Sequence, residues 1–268
     1  MKSYSLKDLK NMLNFFEIDK KTPLLLHSSL FTLGRLENVS VNDIPKILIE
    51  FFCNNLETFN QPAFNYSFPK NKYIDLTLPN SEVGILSNKM IEMGFFRSIH
   101  PMFSFVGNNK EFVKPDFIDK NPFGKNGFFD RLTQHNGFVI VLGAKPFVAT
   151  YIIYAEFMAK VKYRFLKPFY GEVKIKDKII KDSFYHFAFP LNESYKHNYC
   201  KFHRYLLQKG ISKEFKIGSS KAYGFNTKKF TQELRNYISD YPFKLLDSKP
   251  KYFYQFRDNK EIPIKKVN

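Results

Sequence analysis

Residues 22–36 read TPLLLHSSLFTLGRL. Three leucines follow Pro23 without a break, and His27, Ser28 and Ser29 close the run. A strand with one wet face alternates apolar and polar residues. An unbroken apolar run bounded by turn residues marks a strand covered on both faces. The stretch therefore predicts a buried strand ending near His27, followed by a chain that turns away and leaves hydroxyls and free backbone amides at the strand's end.

The flanking sequence supports that reading. Ser5 with Asp8 three residues on forms a helix-start pattern ahead of Leu6, Leu9, Leu13 and Phe16. Over 40–54, Ile44, Ile47, Leu48, Phe51 and Phe52 fall at helical spacing, with Pro45 in the first turn. QPAFNYSF (61–68) reads as a second strand, 82–93 as a helix, GFVIVLG (137–143) as another buried strand and 150–161 as the helix after it. GEVKIKDKIIKDSFYHFAF (171–189) alternates as a hairpin whose outward lysines would protect an edge. Helices over 197–209, stopped by Gly210, and around Phe230, Leu234 and Ile238 follow. Strands and helices interspersed in this way predict an α/β fold, a single domain with a central mixed sheet flanked by helices. The domain is expected to span 1–258, with 259–268 as a frayed basic tail.

The chain has 268 residues, 44% of them hydrophobic, enough for a sizeable core. No apolar run is long enough for a membrane span, and the N-terminus lacks the apolar region of a secretory signal, so a cytoplasmic location is expected. Cys53 and Cys200 show no metal-ligand spacing and read as small, reduced, buried hydrophobes, and no metal site is expected. The net charge of +17 favours an anionic partner: nucleic acid, an acidic membrane surface or a phosphate-bearing small molecule. The charge lies mainly on lysines spread along the whole chain, and no nucleic-acid recognition motif accompanies it, so nucleic acid is not the expected partner.

Several segments match one known family in order. They are LLLHSSLFTLGRL (24–36), QPAFNYSF (61–68), LPNSEVGILSNKM (78–90), RSIHPMFSFVG (97–107), NPFGKNGFFDRL (121–132), VIVLGAKPFVATYIIYAEFMAKVKYRFLK (139–167) and, more weakly, GSSKAYGFNTKKFTQEL (218–234). On these the chain resembles the aminoglycoside 3-N-acetyltransferase, or antibiotic N-acetyltransferase, family. The resemblance implies a single-domain α/β acyltransferase that moves an acetyl or longer acyl group from coenzyme A to an amine without a covalent intermediate.

Transfer from a thioester to an amine needs a seat for the acyl carrier, a route for the amine's proton and donors for the developing oxyanion. Ser28, Ser29, Leu30 and Gly34, at the end of the buried strand, suit the pantetheine and diphosphate of the carrier, and the family pattern adds Ser104 and Phe105. In RSIHPMFSF (97–105) the same pattern sets His100 beside the active site, and His27 at the strand end suits an orienting role. Family members carry D-x-x-T-x-x-H-x-A-E where this chain reads FVATYIIYAE (147–156). Thr150, Ala155 and Glu156 are kept, but Phe147 and Ile153 replace the Asp and the His. The catalytic set expected on this resemblance is therefore His100, Glu156 and His27.

Aminoglycosides are polycations, which a chain at +17 that has lost an Asp and gained Lys145 is poorly charged to attract. Some relatives acylate nucleotide-linked amino-deoxysugars for surface polysaccharide synthesis, and such an anionic acceptor is the leading expectation. Lys160, Lys162, Arg164 and Lys167 would serve its phosphates, Tyr163 and Phe165 its base, and Arg97 and Arg131 are alternative phosphate clamps. Thr150 completes the expected substrate set. Two alternatives stand beside this reading: a true aminoglycoside acetyltransferase, and a catalytically inactive, anion-binding relative. Homo-oligomerisation is left open.

Overall fold

The structure, a computed structural model, describes residues 2–267, the side chain of Phe147 excepted. Strand β1 (Ser3–Tyr4) precedes helix α1 (Leu6–Phe15), which starts at the expected capping box. The Ser5 hydroxyl accepts from the Asp8 amide at 3.2 Å, and the Asp8 carboxylate accepts from the Ser5 amide at 2.8 Å. Strand β2 (Leu24–Ser28) is buried through His27, as its unbroken apolar run implied. A 3₁₀ turn at Leu30–Thr32 and strand β3 (Arg35–Leu36) lead to helix α2 (Ile44–Asn55), with Pro45 in its first turn. Strand β4 (Phe59–Phe64) follows, then helix α3 (Phe68–Asn71), strand β5 (Tyr73–Asp75) and helix α4 (Ile85–Glu92). Strands β6 (Phe96–Arg97) and β7 (Phe103–Gly107), helices α5 (Lys110–Val113) and α6 (Phe128–Gln134) and strand β8 (Phe138–Leu142) complete the first half.

The second half begins with a 3₁₀ turn at Pro146–Val148 and helix α7 (Tyr151–Met158). A long hairpin, β9 (Phe165–Ile175) and β10 (Lys178–Ala188), precedes helix α8 (Tyr199–Gln208). Strands β11 (Ser212–Ile217) and β12 (Ser220–Asn226) and helix α9 (Thr227–Ile238) lead to a last hairpin, β13 (Tyr252–Arg257) and β14 (Lys260–Lys266).

Seven strands form the main sheet in the order β11-β12-β8-β2-β4-β7-β6. Only the centre is parallel, β8 and β4 flanking β2, and every outer pairing is antiparallel. The sheet is mixed, as expected. Alternation along the central strands divides the core into two layers. Leu24 and Leu26 of β2 and Ile140 and Leu142 of β8 face the layer of α1, α2 and α4. Leu25, Val139 and Val141 face the layer of α6, α7, α8, α9 and the β9–β10 hairpin. His27 shares the parity of Leu25, so the strand turns its ring toward this second, aromatic-rich layer.

Two expectations are corrected. Residues 260–266 do not fray: Glu261 accepts from the Leu191 amide at 2.7 Å and meets Lys167 at 2.8 Å, which ties β14 to the rest of the fold. Cys200 is exposed and Cys53 half-buried, so neither is a core hydrophobe, though both are free thiols. Among the described residues no helix is long and apolar enough to cross a membrane.

Gly34 has φ +99°, and a Cβ there would sit 1.9 Å from the Lys2 carbonyl oxygen. The close approach of the β1 and β3 segments demands glycine here whether or not the position also meets a cofactor. Gly34→Ala is expected to lose about 1–3 kcal/mol of stability from the backbone conformation alone, measured by urea unfolding. An unchanged midpoint would refute that requirement.

Candidate active site

Strand β2 is where the sheet changes direction. The chain leaves it to build β4 on one side and returns to its other side with β8. In open α/β sheets ligands bind in the crevice outside the carboxyl end of such a switch strand. Here that end carries His27 and Ser28, and two adjoining cavities open beside it. One, of about 460 Å³, is lined by His27, Ser28, Pro62, Phe64, Tyr66, Val83, Ala144, Val148 and Thr150. The other, of about 560 Å³, is lined by Tyr66, Pro69, Met102, Phe103, Thr150, Ile153, Phe169 and His186. Tyr66 and Thr150 line both. None of these described lining residues is a carboxylate. Glu82, beside Tyr66, is already bound by the backbone amides of Tyr66 and Ser67.

Of the expected residues, His27, Ser28 and Thr150 come together on these walls. Ser29 and Leu30 begin the 3₁₀ turn just beyond, where the Ser29 amide is held by the Leu142 carbonyl. His27 Nε2 is buried without a hydrogen-bond partner, and burial pushes the imidazole pKa down to about 4. Ile153 lines the larger cavity, one turn of α7 beyond Thr150. The other departure from the family pattern, the Phe147 side chain, lies outside the described residues.

Several expected residues serve the framework instead. His100 is fully buried, and its Nδ1 accepts from the amides of Met102 at 3.1 Å and Phe103 at 2.9 Å. Both bonds need an unprotonated Nδ1, so the ring is neutral with its proton on Nε2. Burial pushes its pKa down to about 3, with the Tyr185 backbone opposing and His186 adding to the fall. His100 thus holds the turn of RSIHPMFSF, closed off from any amine. Ser104, also fully buried, donates to the Ala63 carbonyl at 2.7 Å and accepts from Arg97 Nε at 3.0 Å. Arg97 spends Nη1 on the Leu76 and Leu78 carbonyls and Asn80 and bonds the Ala63 carbonyl through Nη2, so it braces the framework and lines neither cavity. Arg131 binds the carbonyls of Phe112, Val113 and Asn126 in the same manner. Phe105 stacks on Phe128 inside the core.

Glu156 also leaves the catalytic set. It is fully buried, its Oε1 accepts from Tyr163 at 2.8 Å, and its Oε2 accepts from Tyr199 at 2.8 Å and lies 2.8 Å from Arg164 Nε. Arg164 meanwhile donates to the Phe187 carbonyl at 2.9 Å and to Tyr199 at 2.8 Å, and its guanidinium covers the Phe189 ring at 3.7 Å. Desolvation lowers the guanidinium pKa, but Glu156 together with Tyr199 and Tyr163 outweighs it and raises the value above normal. This buried ion pair lines neither cavity, so it meets neither an amine nor a phosphate there. Tyr163 and Phe165, expected to stack a base, are buried with it. Lys167 is bound to Glu261. Lys160 and Lys162 are exposed beyond the far end of α7, about 12 Å of helix from Thr150.

The residue that sequence reasoning passed over is His186. It reaches the larger cavity from β10, its ring packed on Phe103 at 4.8 Å and Phe123 at 5.6 Å. Period two along DSFYHFAF puts it on the face of Phe184, and Phe184 is fully buried. That alternation was the available signal. Tyr66 and Phe169 carried none.

A family model described as aminoglycoside 3-N-acetyltransferase matches residues 56–239. Among solved structures, aminoglycoside acetyltransferase AAC(3)-IVa, apoenzyme, superposes with TM-score 0.66 at 20% identity, covering 91% of each chain. AAC-IIIb in binary complex with CoASH gives 0.73 at 15% identity, over 89% of this chain and 97% of that one. YokD from Bacillus subtilis gives 0.68 at 13%, over 90% and 95%. No curated protein matches.

Glu156→Gln would leave the Arg164 guanidinium buried without its counter-charge, and is expected to cost about 3–5 kcal/mol of folding free energy. Urea unfolding at wild-type midpoint would contradict the structural role. A second expectation concerns acid. His27, His100 and His186 have pKa values pushed down by burial to about 4, 3 and 3, against about 6.5 in the unfolded chain. Between those values the unfolded state binds more protons, so stability falls as pH drops from about 6.5 toward 4. Asp119, pushed up to about 6 by burial, opposes them below that pH but is outnumbered. The melting temperature should decline steadily over this window, and His100→Asn should flatten the slope.

Proposed function

The chain belongs to the aminoglycoside 3-N-acetyltransferase family, and from that membership we propose that it transfers an acyl group from coenzyme A to the amine of a nucleotide-linked amino-deoxysugar, as in surface polysaccharide synthesis. The observation that carries the acceptor class is the absence of any carboxylate among the described residues lining the two cavities. A polycationic aminoglycoside would find no carboxylate on these walls to offset desolvation of its ammonium groups, which disfavours it as the acceptor. An acceptor whose net charge is negative is steered toward the cleft by a chain at +17, and its phosphates would stay in solvent outside these uncharged walls. Tyr66, on the wall common to both cavities, is more than half exposed and offers a ring face to a sugar or base.

Acyl-CoA supplies the activated thioester when bound. Ser28, Ser29 and Leu30 would hold its pantetheine arm at the carboxyl end of β2, with the buried His27 orienting that strand end. Thr150, between the cavities, is placed to touch both reactants and so to orient the amine toward the thioester. Such positioning is worth on the order of 7–11 kcal/mol of barrier. The apolar Phe64, Val83, Met102 and Phe169 exclude water that would otherwise hydrolyse the donor.

One observation favours the second reading, an aminoglycoside acceptor: the description of the matching family itself. Thiol release from acetyl-CoA and longer acyl-CoAs separates the two. Release is expected with nucleotide-linked amino sugars and not with aminoglycosides. Release with aminoglycosides alone would overturn the acceptor assignment.

A further inference from the structure

Resting on that transferase reading, we infer that His186 is the proton acceptor of the transfer, presented from the β9–β10 hairpin rather than from helix α7. The cavities narrow the choice by elimination. His100 is closed off by two backbone amides and Glu156 by an arginine and two tyrosines. Ile153, on the helical face that enters the cavity, has no proton to exchange. Two imidazoles remain on the walls. His27 is almost wholly buried, whereas His186 is only partly buried and lines the larger cavity, which it shares with Thr150.

The ring is held for this task. Phe103 and Phe123 fix its plane, and Nδ1 is buried without a partner, so Nε2 is the nitrogen that can meet a ligand. The groups facing it are Arg164 and Lys167 on the β9 side and neutral His100 beneath. Arg164 and Lys167 are paired to Glu156 and Glu261, so neither is drawn into the cavity. Burial and these two cations keep the imidazole unprotonated at neutral pH and hold its basicity low, so it accepts a proton only as bond formation makes the attacking nitrogen acidic.

The step balances. The amine nitrogen bonds to the thioester carbonyl carbon, and Nε2 takes a proton from that nitrogen as the bond forms. The C–S bond then breaks, the departing thiolate receives the proton from Nε2, and the products are an amide and free thiol.

The test compares wild type with His186→Asn and His186→Gly, using whichever acceptor class supports thiol release. His186→Asn is expected to lower kcat by about 10²–10⁴-fold with KM for acyl-CoA little changed. Added imidazole should restore part of the activity of His186→Gly, a recovery that a purely packing role would not show. Wild-type kcat in His186→Asn, or failure of rescue in a folded His186→Gly protein that still binds CoA, would overturn the proposal. A second readout does not depend on the acceptor. The His186 ring resonance, identified by its loss in His186→Asn, should move when acetyl-CoA or a nucleotide amino sugar is added. A resonance unmoved by both would overturn the proposal even if no acceptor is turned over, while failure of the nucleotide sugars alone would count against the acceptor class only.

Discussion

The fully buried pair of Glu156 and Arg164 is the constraint on which the site depends. Two opposite charges in an interior are tolerable only when every remaining polar atom around them is met. Meeting them here enlists the end of α7, the start of β9, the β10 carbonyl of Phe187 and the first residue of α8. The pair therefore locks four elements to one another. Thr150 at one end of α7 and His186 on β10 owe their relative positions to it. Its place in a stretch that matches the family pattern made Glu156 resemble a reagent; its burial between four elements makes the pair a joint.

A second consequence of the packing is electrostatic. The chain is strongly basic, yet the charges nearest the cleft are neutralised in pairs: Lys167 by Glu261, Arg164 by Glu156, Lys174 by Asp75. What remains inside is a neutral, largely aromatic chamber with imidazoles on its walls, beneath a cationic exterior. Long-range attraction and local chemistry are thus separated, the first spread over the surface and the second confined to groups that carry no charge at neutral pH.

The framework was legible because its signals are local. The capping box at Ser5, the unbroken leucines of β2, Pro45 in α2, Gly210 after α8 and the alternation of β9 and β10 each announce an element from a few residues. The site was legible only at β2 and Thr150. Whether a histidine or arginine faces a ligand or a backbone carbonyl depends on partners far along the chain: His100 on the turn it closes, Arg97 on Ala63 and Leu76, Glu156 on Tyr199. Residue type and spacing carry no record of those partners. Strands β11 and β14 escaped for a related reason, since charged residues stand among their apolar ones and conceal the half-buried face.

The parallel pairing of β2 also governs how the protein comes into being. Leu24 pairs with Phe59 on one side but with Phe138 on the other, so half of its hydrogen bonds await a strand from the middle of the chain. During synthesis from the N-terminus, an unbroken leucine strand stands with one edge bare until β8 has left the ribosome. Loop closure over that distance is slow, and a bare apolar edge invites pairing with other chains. The strand that anchors the finished site is thus the nascent chain's most adhesive segment.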